Sequence, residues 1–230
     1  MTEFKGFLPE TVVFFESLEK NNTKQWFEKQ KADYENYVKN PSIDFVVAMG
    51  DKLKQIAPGI HAIPKVNQSL FRINRDTRFA ADKSPYKTNM GILFWEGRGK
   101  RMECPGFYFH MTPDQLMLGV GLHCFTKPLF TPYRDAVVDK KKGAAFQKAV
   151  RKVSKRGYTI GEKKYKRVPR GYDSSHESAE YLMFGGLTAM WMGKIPKAFF
   201  SNDIIDFSFA HFKKMAPIHE WLKGMVKGNG

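Results

Sequence analysis

Residues 107–122, FYFHMTPDQLMLGVGL, alternate so strictly that they leave one way to fold. Side chains of a strand point to opposite faces with a period of two. A turn centred between Pro113 and Asp114 joins strands over 106–112 and 116–123. It sets Phe107 opposite Val120, Phe109 opposite Leu118 and Met111 opposite Leu116. With Leu122 this face is wholly apolar. A slip of one residue would put the whole set into water, so the face must be turned to a core. The other face sets Tyr108 opposite Gly119, His110 opposite Met117 and Gly106 opposite Gly121. Alternate glycines leave that surface bare beside a tyrosine and a histidine. A packed helix, another chain segment or a ligand can fill it.

The flanking segments complete the pattern. Residues 90–96, MGILFWE, are apolar on both faces, as a central strand is, and residues 71–74, FRIN, alternate as a strand. Three helices are expected before them. Thr11, Phe14, Phe15 and Leu18 recur at helical spacing after Pro9. Asn22 with Gln25 forms a capping box for the second helix, which Pro41 ends. The third starts at Ser42, buries Val46, Met49, Leu53 and Ile56, and stops at Pro58-Gly59. Beyond the hairpin, Phe146, Val150 and Val153 mark a helix that Gly157 ends, and YTIGEKKYKRV reads as a second hairpin. Ser175 caps a later helix, 185–195 is a strand, Pro196 opens a short helix, and 202–226 is helical with a break at Pro217. No repeat or linker interrupts the chain. The expectation is one α+β domain over 1–230, a mainly antiparallel sheet with helices from both ends of the sequence packed around it.

The chain is 42% hydrophobic and 14% aromatic, enough for a sizeable core rich in phenylalanine. No apolar run approaches the length of a membrane span, so no membrane partner is expected. The opening residues, MTEFKGFLPE, lack the pattern of a secretory signal, and Cys104 and Cys124 form no disulfide framework or metal spacing. A cytoplasmic protein is expected. Charge is the unusual quantity: 38 basic against 23 acidic residues, a net +15. Residues 140–170 hold most of the surplus, with Glu162 their one acid. Such a field draws polyanions. Lys148, Arg151, Lys152, Lys155, Lys163, Lys164 and Arg167 are the expected nucleic-acid surface, with Phe146, Tyr158, Tyr165 and Tyr172 interleaved as stacking surfaces. A solvated face without a ligand has equal standing from composition alone.

The second basic cluster is FRINRDTRFAADKSPYKTNMG, residues 71–91. Together with Phe14-Phe15, Leu18, Asn21-Asn22, Trp26-Phe27 and Tyr34 near the start, and Pro169-Arg170-Gly171-Tyr172 followed by His176, it resembles the family called domain of unknown function 2461. The resemblance runs nearly end to end. Where that family usually has proline after the histidine, this chain has Glu177. The resemblance implies a single α+β domain of intracellular type and no particular activity.

Arginine offers a fixed fork of donors that suits carboxylate and phosphate. In 71–91, five cations meet two carboxylates. Asp76 and Asp82 are expected to neutralise Arg75 and hold the loop, leaving Arg72, Arg78, Lys83 and Lys87 for an outside anion with Tyr86 as a wall. His110 and Tyr108 are the candidates for moving protons, should the ligand be a substrate. The hairpin register also sets Cys104 opposite His123. No phosphate loop, dinucleotide fingerprint, serine-hydrolase elbow or histidine metal motif is present, so no cofactor or metal is expected. Three functions follow: a binder of phosphate-rich ligands, nucleic acid above all; an enzyme acting on a small anionic substrate; or a scaffold with no ligand.

Overall fold

The computed structural model describes residues 3–227. Its helices are α1 (Pro9–Lys20), α2 (Lys24–Lys29), α3 (Lys31–Asp33), α4 (Asn40–Leu53), α5 (Lys127–Val138), α6 (Lys140–Ser154) and α7 (Asp203–Lys227). Its strands are β1 (Ile60–His61), β2 (Met90–Glu96), β3 (Gly106–Met111), β4 (Gln115–Leu122), β5 (Thr159–Ile160) and β6 (Leu187–Lys194). They form one antiparallel sheet in the order β1-β2-β3-β4-β6-β5, and the fold is α+β.

The β3–β4 turn has the expected register: Thr112 and Gln115 exchange backbone hydrogen bonds of 3.0 and 3.3 Å. Phe107, Phe109, Met111, Leu116, Leu118, Val120 and Leu122 are all buried, while Tyr108 and His110 are half-exposed. Gly121 shows what its missing side chain permits. Its φ is +136°, and a Cβ there would lie 2.1 Å from the Leu187 carbonyl oxygen. The bare backbone is covered by another chain segment.

Two compact units make up the chain. The first comprises Met1–Phe94, Tyr108–Leu118 and Met192–Ala210. Its core is a stack of rings: Phe7 on Phe199 at 4.6 Å, Phe45 on Phe109 at 4.6 Å, and Phe4 edge-on to both Phe7 and Phe45. A second ring cluster joins Phe14, Phe27, Tyr34 and Tyr86. The second unit comprises Trp95–Phe107, Gly119–Trp191 and His211–Gly230. There Trp221 packs on Phe146 and Tyr133, and Phe107 packs on Phe212 and His219.

Several local expectations are corrected. Thr23, not Asn22, caps α2, accepting the Trp26 amide at 3.2 Å. Pro41 does not end the second helix. A π-helical turn, Tyr34–Lys39, leads straight into α4, which carries Pro41 in its first turn. The wider turn lets the chain pass a residue that has no N–H and crowds the carbonyl four positions back. Pro217 likewise sits inside an unbroken α7. One lost hydrogen bond is outweighed by burial of Phe212, Met215, Ala216, Ile218, Leu222 and Met225 on either side of it. Residues 158–168 make no hairpin; β5 instead pairs antiparallel with β6, Thr159 against Met190 and Ile160 against Ala189. The segment after Ser175 forms only a short 3-10 turn, Ala179–Met183, flanked by Ser178, while Ser175 bonds back to Asp173. Residues 71–74 keep the burial alternation of a strand but form only isolated bridges, Leu70 to Ile92 and Asn74 to Tyr86. Pro85 lacks the N–H that a continuous ladder would need there.

Phe109 is fully buried against Phe7, Phe45 and Phe199. Phe109→Ala is expected to cost about 3–5 kcal/mol in urea unfolding. A loss below about 1 kcal/mol would show that the ring is not part of the core.

Candidate functional site

Between Phe71, whose amide bonds the Gly91 carbonyl of β2, and Met90, where β2 begins, residues 72–89 belong to no named strand and are held by their neighbours. The Asn22 side chain bonds both backbone groups of Tyr86: Nδ2 donates to its carbonyl at 2.9 Å, and Oδ1 accepts its amide at 3.1 Å. The Tyr86 ring lies flat on Phe27 at 4.0 Å. Within the segment, the Arg75 amide bonds the Pro85 carbonyl, and the Lys87 amide bonds the Ile73 carbonyl. Tyr86 is therefore a buried anchor and not the wall of an anion site.

The ion pairs differ from the expected set. Arg75 does pair with Asp82. Asp76 pairs with Arg78, not Arg75, through a two-pronged contact of 2.9 and 2.7 Å. Arg78 is thus engaged internally, and Lys83 caps the Thr77 carbonyl at 3.0 Å. The contacts hold both carboxyls below the usual range. For Asp76 the cause is first the hydrogen bonds from Arg78, with a through-space pull from Arg72. For Asp82 it is first the Ser84 hydroxyl and then Arg75. Asp82 also accepts the Ser84 amide, which tightens the loop.

Beside this loop lies an open cleft of about 430 Å³, lined by Phe71, Arg72, Arg75, Asp76, Lys87, Asn89, Gly91 and Tyr108. Lys87 reaches the Arg72 carbonyl at 2.9 Å and stands over the Phe71 ring. The Arg72 guanidinium makes no hydrogen bond or ion pair among the described residues. The Tyr108 hydroxyl meets His110 Nδ1 at 3.1 Å. Burial pushes the phenol up to about 12 and the imidazole below its ordinary value, so both are neutral near pH 7. Gly91 gives the hydroxyl its seat: a Cβ there would stand 2.7 Å from it. The structure thus gathers Arg72, Lys87 and Tyr108 at one cleft and leaves Arg78, Lys83 and Tyr86 out of its lining.

The second basic region is of another kind. Lys148, Arg151, Lys152 and Lys155 are exposed on α6, and Gly143, Phe146, Ala149, Val150 and Val153 are buried on its other side. Asp139 caps the helix, accepting the amides of Lys141 and Lys142. Lys163, Lys164 and Arg167 are exposed further on. Of the rings expected to stack, Phe146 and Tyr158 are buried, Tyr158 bonding His211, and Tyr172 is tied to Asp135. Tyr165 remains exposed. It borders a cleft of about 350 Å³ with Lys127, Phe130, Arg134, Arg167 and Pro169, and the Arg134 guanidinium lies over both the Phe130 and Tyr165 rings. Cys104 is buried and His123 exposed, so they form no Cys–His pair.

Sequence reasoning missed a triad built around a buried carboxylate. Glu96, at the end of β2, takes His219 Nε2 at 2.8 Å and the Lys223 ammonium. His219 is 1% exposed, and its Nδ1 has no hydrogen-bond partner among the described residues. A protonated ring would leave a buried N–H unsatisfied, so the neutral form is favoured. Burial indeed lowers its pKa, with Glu96 pulling the other way. The legible signal was one acid closing an otherwise apolar strand, and a His and a Lys four apart on a helix.

The family described as "Conserved hypothetical protein (DUF2461)" matches residues 10–221, and the chain belongs to it. No curated protein matches the chain.

Two outcomes follow. The loop ion pairs are solvent-exposed, so Asp76→Ala and Arg78→Ala should change the thermal midpoint only slightly. A collapse of the fold in either would contradict the exposed pairing. For His219, Glu96→Gln removes the charge that raises the ring's pKa, so NMR titration should find it lower still; a higher value would contradict the triad. The sign for stability follows as well. His110, His211 and His219 all have folded pKa values lowered from 6.5, chiefly by burial. The unfolded chain then binds their protons more readily. Their contribution is full above about pH 6.5 and is lost as pH falls through the lowered values.

Proposed function

We propose that this protein binds phosphate-rich polymers, nucleic acid above all, without reading their sequence. The observation that carries the reading is the outer side of α6. Lys148, Arg151, Lys152 and Lys155 fall within roughly a third of its circumference at about 100° per residue. None of them has a carboxylate within 4 Å among the described residues. Arg151 is hydrogen-bonded only to the neutral Gln147 side chain, and a row of such cations on one helix face suits a backbone of repeating phosphates, which gains from release of its counterions. Exposed Tyr165, braced by Arg134, adds a ring on which a base can stack. Two free thiols, Cys104 and Cys124, accord with a reducing cytoplasm as its location. The absence of any groove-reading motif from the sequence argues for shape- and sequence-blind contact.

Fluorescence anisotropy with labelled single-stranded oligonucleotides over a salt series tests the reading. Affinity should fall steeply with salt and vary little between sequences. Reversing Lys148, Arg151, Lys152 and Lys155 to Glu should abolish binding with the fold intact. Neutralising the same four to Gln should lower the salt slope by about 3, given a slope near 0.7 per phosphate contact. An unaltered slope and affinity in both variants would exclude α6 as the site.

A further inference from the structure

We propose that the cleft lined by Arg72, Lys87, Asn89 and Tyr108 is a separate binding site for a small phosphate monoester, distinct from the polymer surface on α6. The first argument is charge. Arg72, Arg75 and Lys87 line the cleft against one carboxylate, Asp76, a surplus of two positive charges. A phosphate monoester carries about −1.5 to −2 near pH 7 and matches that surplus; a monocarboxylate does not. Asp82 and Asp76 are paired with Arg75 and Arg78, and Arg72 lines the cleft with no hydrogen bond or ion pair on its guanidinium among the described residues.

The second argument is the variety of donors. A guanidinium, an ammonium, a carboxamide and a phenol line one cavity from separate stretches of chain. A carboxylate has two oxygens in one plane, whereas a phosphoryl group has three acceptor oxygens spread about a tetrahedron. The third argument is construction. Lys87 is fixed to the Arg72 backbone carbonyl, which holds its ammonium beside the residue that carries the guanidinium. Tyr108 is fixed by His110 and admitted by the absence of a side chain at Gly91. Burial keeps the phenol protonated at neutral pH, and with His110 in the tautomer whose Nδ1–H donates to the phenol oxygen, the hydroxyl's one proton is left for the ligand. The Phe71 ring offers an apolar wall, edge-on to Tyr108, for the organic part of the ester. The volume, about 430 Å³, suits a small ligand and not a polymer strand.

Isothermal titration with inorganic phosphate, and separately with acetate, tests the site. Wild type should bind phosphate, and acetate much more weakly. Arg72→Ala should weaken phosphate binding by about tenfold or more, as loss of a charged hydrogen bond does. Arg72→Lys should recover part of it. Tyr108→Phe, which keeps the ring and removes only the hydroxyl, should weaken it about threefold to tenfold. Gly91→Ala should act in the same direction by pushing the hydroxyl aside. The fourfold α6 reversal, K148E/R151E/K152E/K155E, should bind phosphate as wild type does, which separates this site from the polymer reading whether or not that reading holds. Undiminished binding in Arg72→Ala, loss of binding in the α6 variant, or acetate binding equal to phosphate would each overturn the proposal.

Discussion

Two hydrogen bonds from one side chain hold the candidate site in place. Asn22, in the turn between α1 and α2, takes the amide and the carbonyl of Tyr86 as a neighbouring strand would. Residues 72–89 have only the isolated bridge of Asn74 to Tyr86 and no continuous ladder, and their backbone polar groups must be satisfied by other means. The Asn22 amide serves at Tyr86, whose ring is pinned on Phe27. From this anchor the chain runs back through Lys87 to Ile73 and through Pro85 to Arg75. Arg72, Arg75 and Lys87 then come to border one cleft. Take away the anchor and the cations lose their common frame, although the aromatic core of the unit would remain.

The two basic regions use charge in opposite ways. In 71–91 most of it is spent locally: Asp76 on Arg78, Asp82 on Arg75, and Lys83 on a backbone carbonyl. What remains is aimed into a concavity beside neutral polar groups. On α6 Lys148, Arg151, Lys152 and Lys155 have no carboxylate partner among the described residues and stand side by side in water. Like charges so placed repel one another modestly at high dielectric, and an arriving polyanion relieves that repulsion. The first arrangement suits selectivity for a small ligand, the second affinity for a long one. Glu96, His219 and Lys223 form a third pattern, a carboxylate shielded from water and balanced by a neutral ring and one cation. Its surroundings make it a brace: Phe107 covers the ring, and the carboxylate is 7% exposed.

Period-two alternation was the most legible feature, because each residue of 107–122 has only two directions to choose from. The hairpin, its register and its buried face follow from it. Helix punctuation was less legible. Pro41 and Pro217 look like stops, yet a π turn accommodates the first and flanking burial the second. Helix α5 was not foreseen, since Pro128 and Pro132 interrupt its pattern. Arg75 with Asp82 was readable from charge and proximity. The partner of Arg78 was not, since it depends on how the loop doubles back. Asn22 could be read as polar and turn-forming, but its target lies 64 residues on. Contacts of that range have no local signature, and the placing of Tyr108 and Arg72 at one cleft is of the same kind.

The anchoring role of Asn22 is open to one direct measurement, amide hydrogen exchange in Asn22→Ala. Exchange at Arg75, Tyr86 and Lys87 should quicken markedly, while Phe109 and its neighbours in β3 keep the protection of the global fold. Unchanged protection at Arg75 and Lys87, or its loss in step with β3, would show that the segment is held by the core as a whole and not by this side chain.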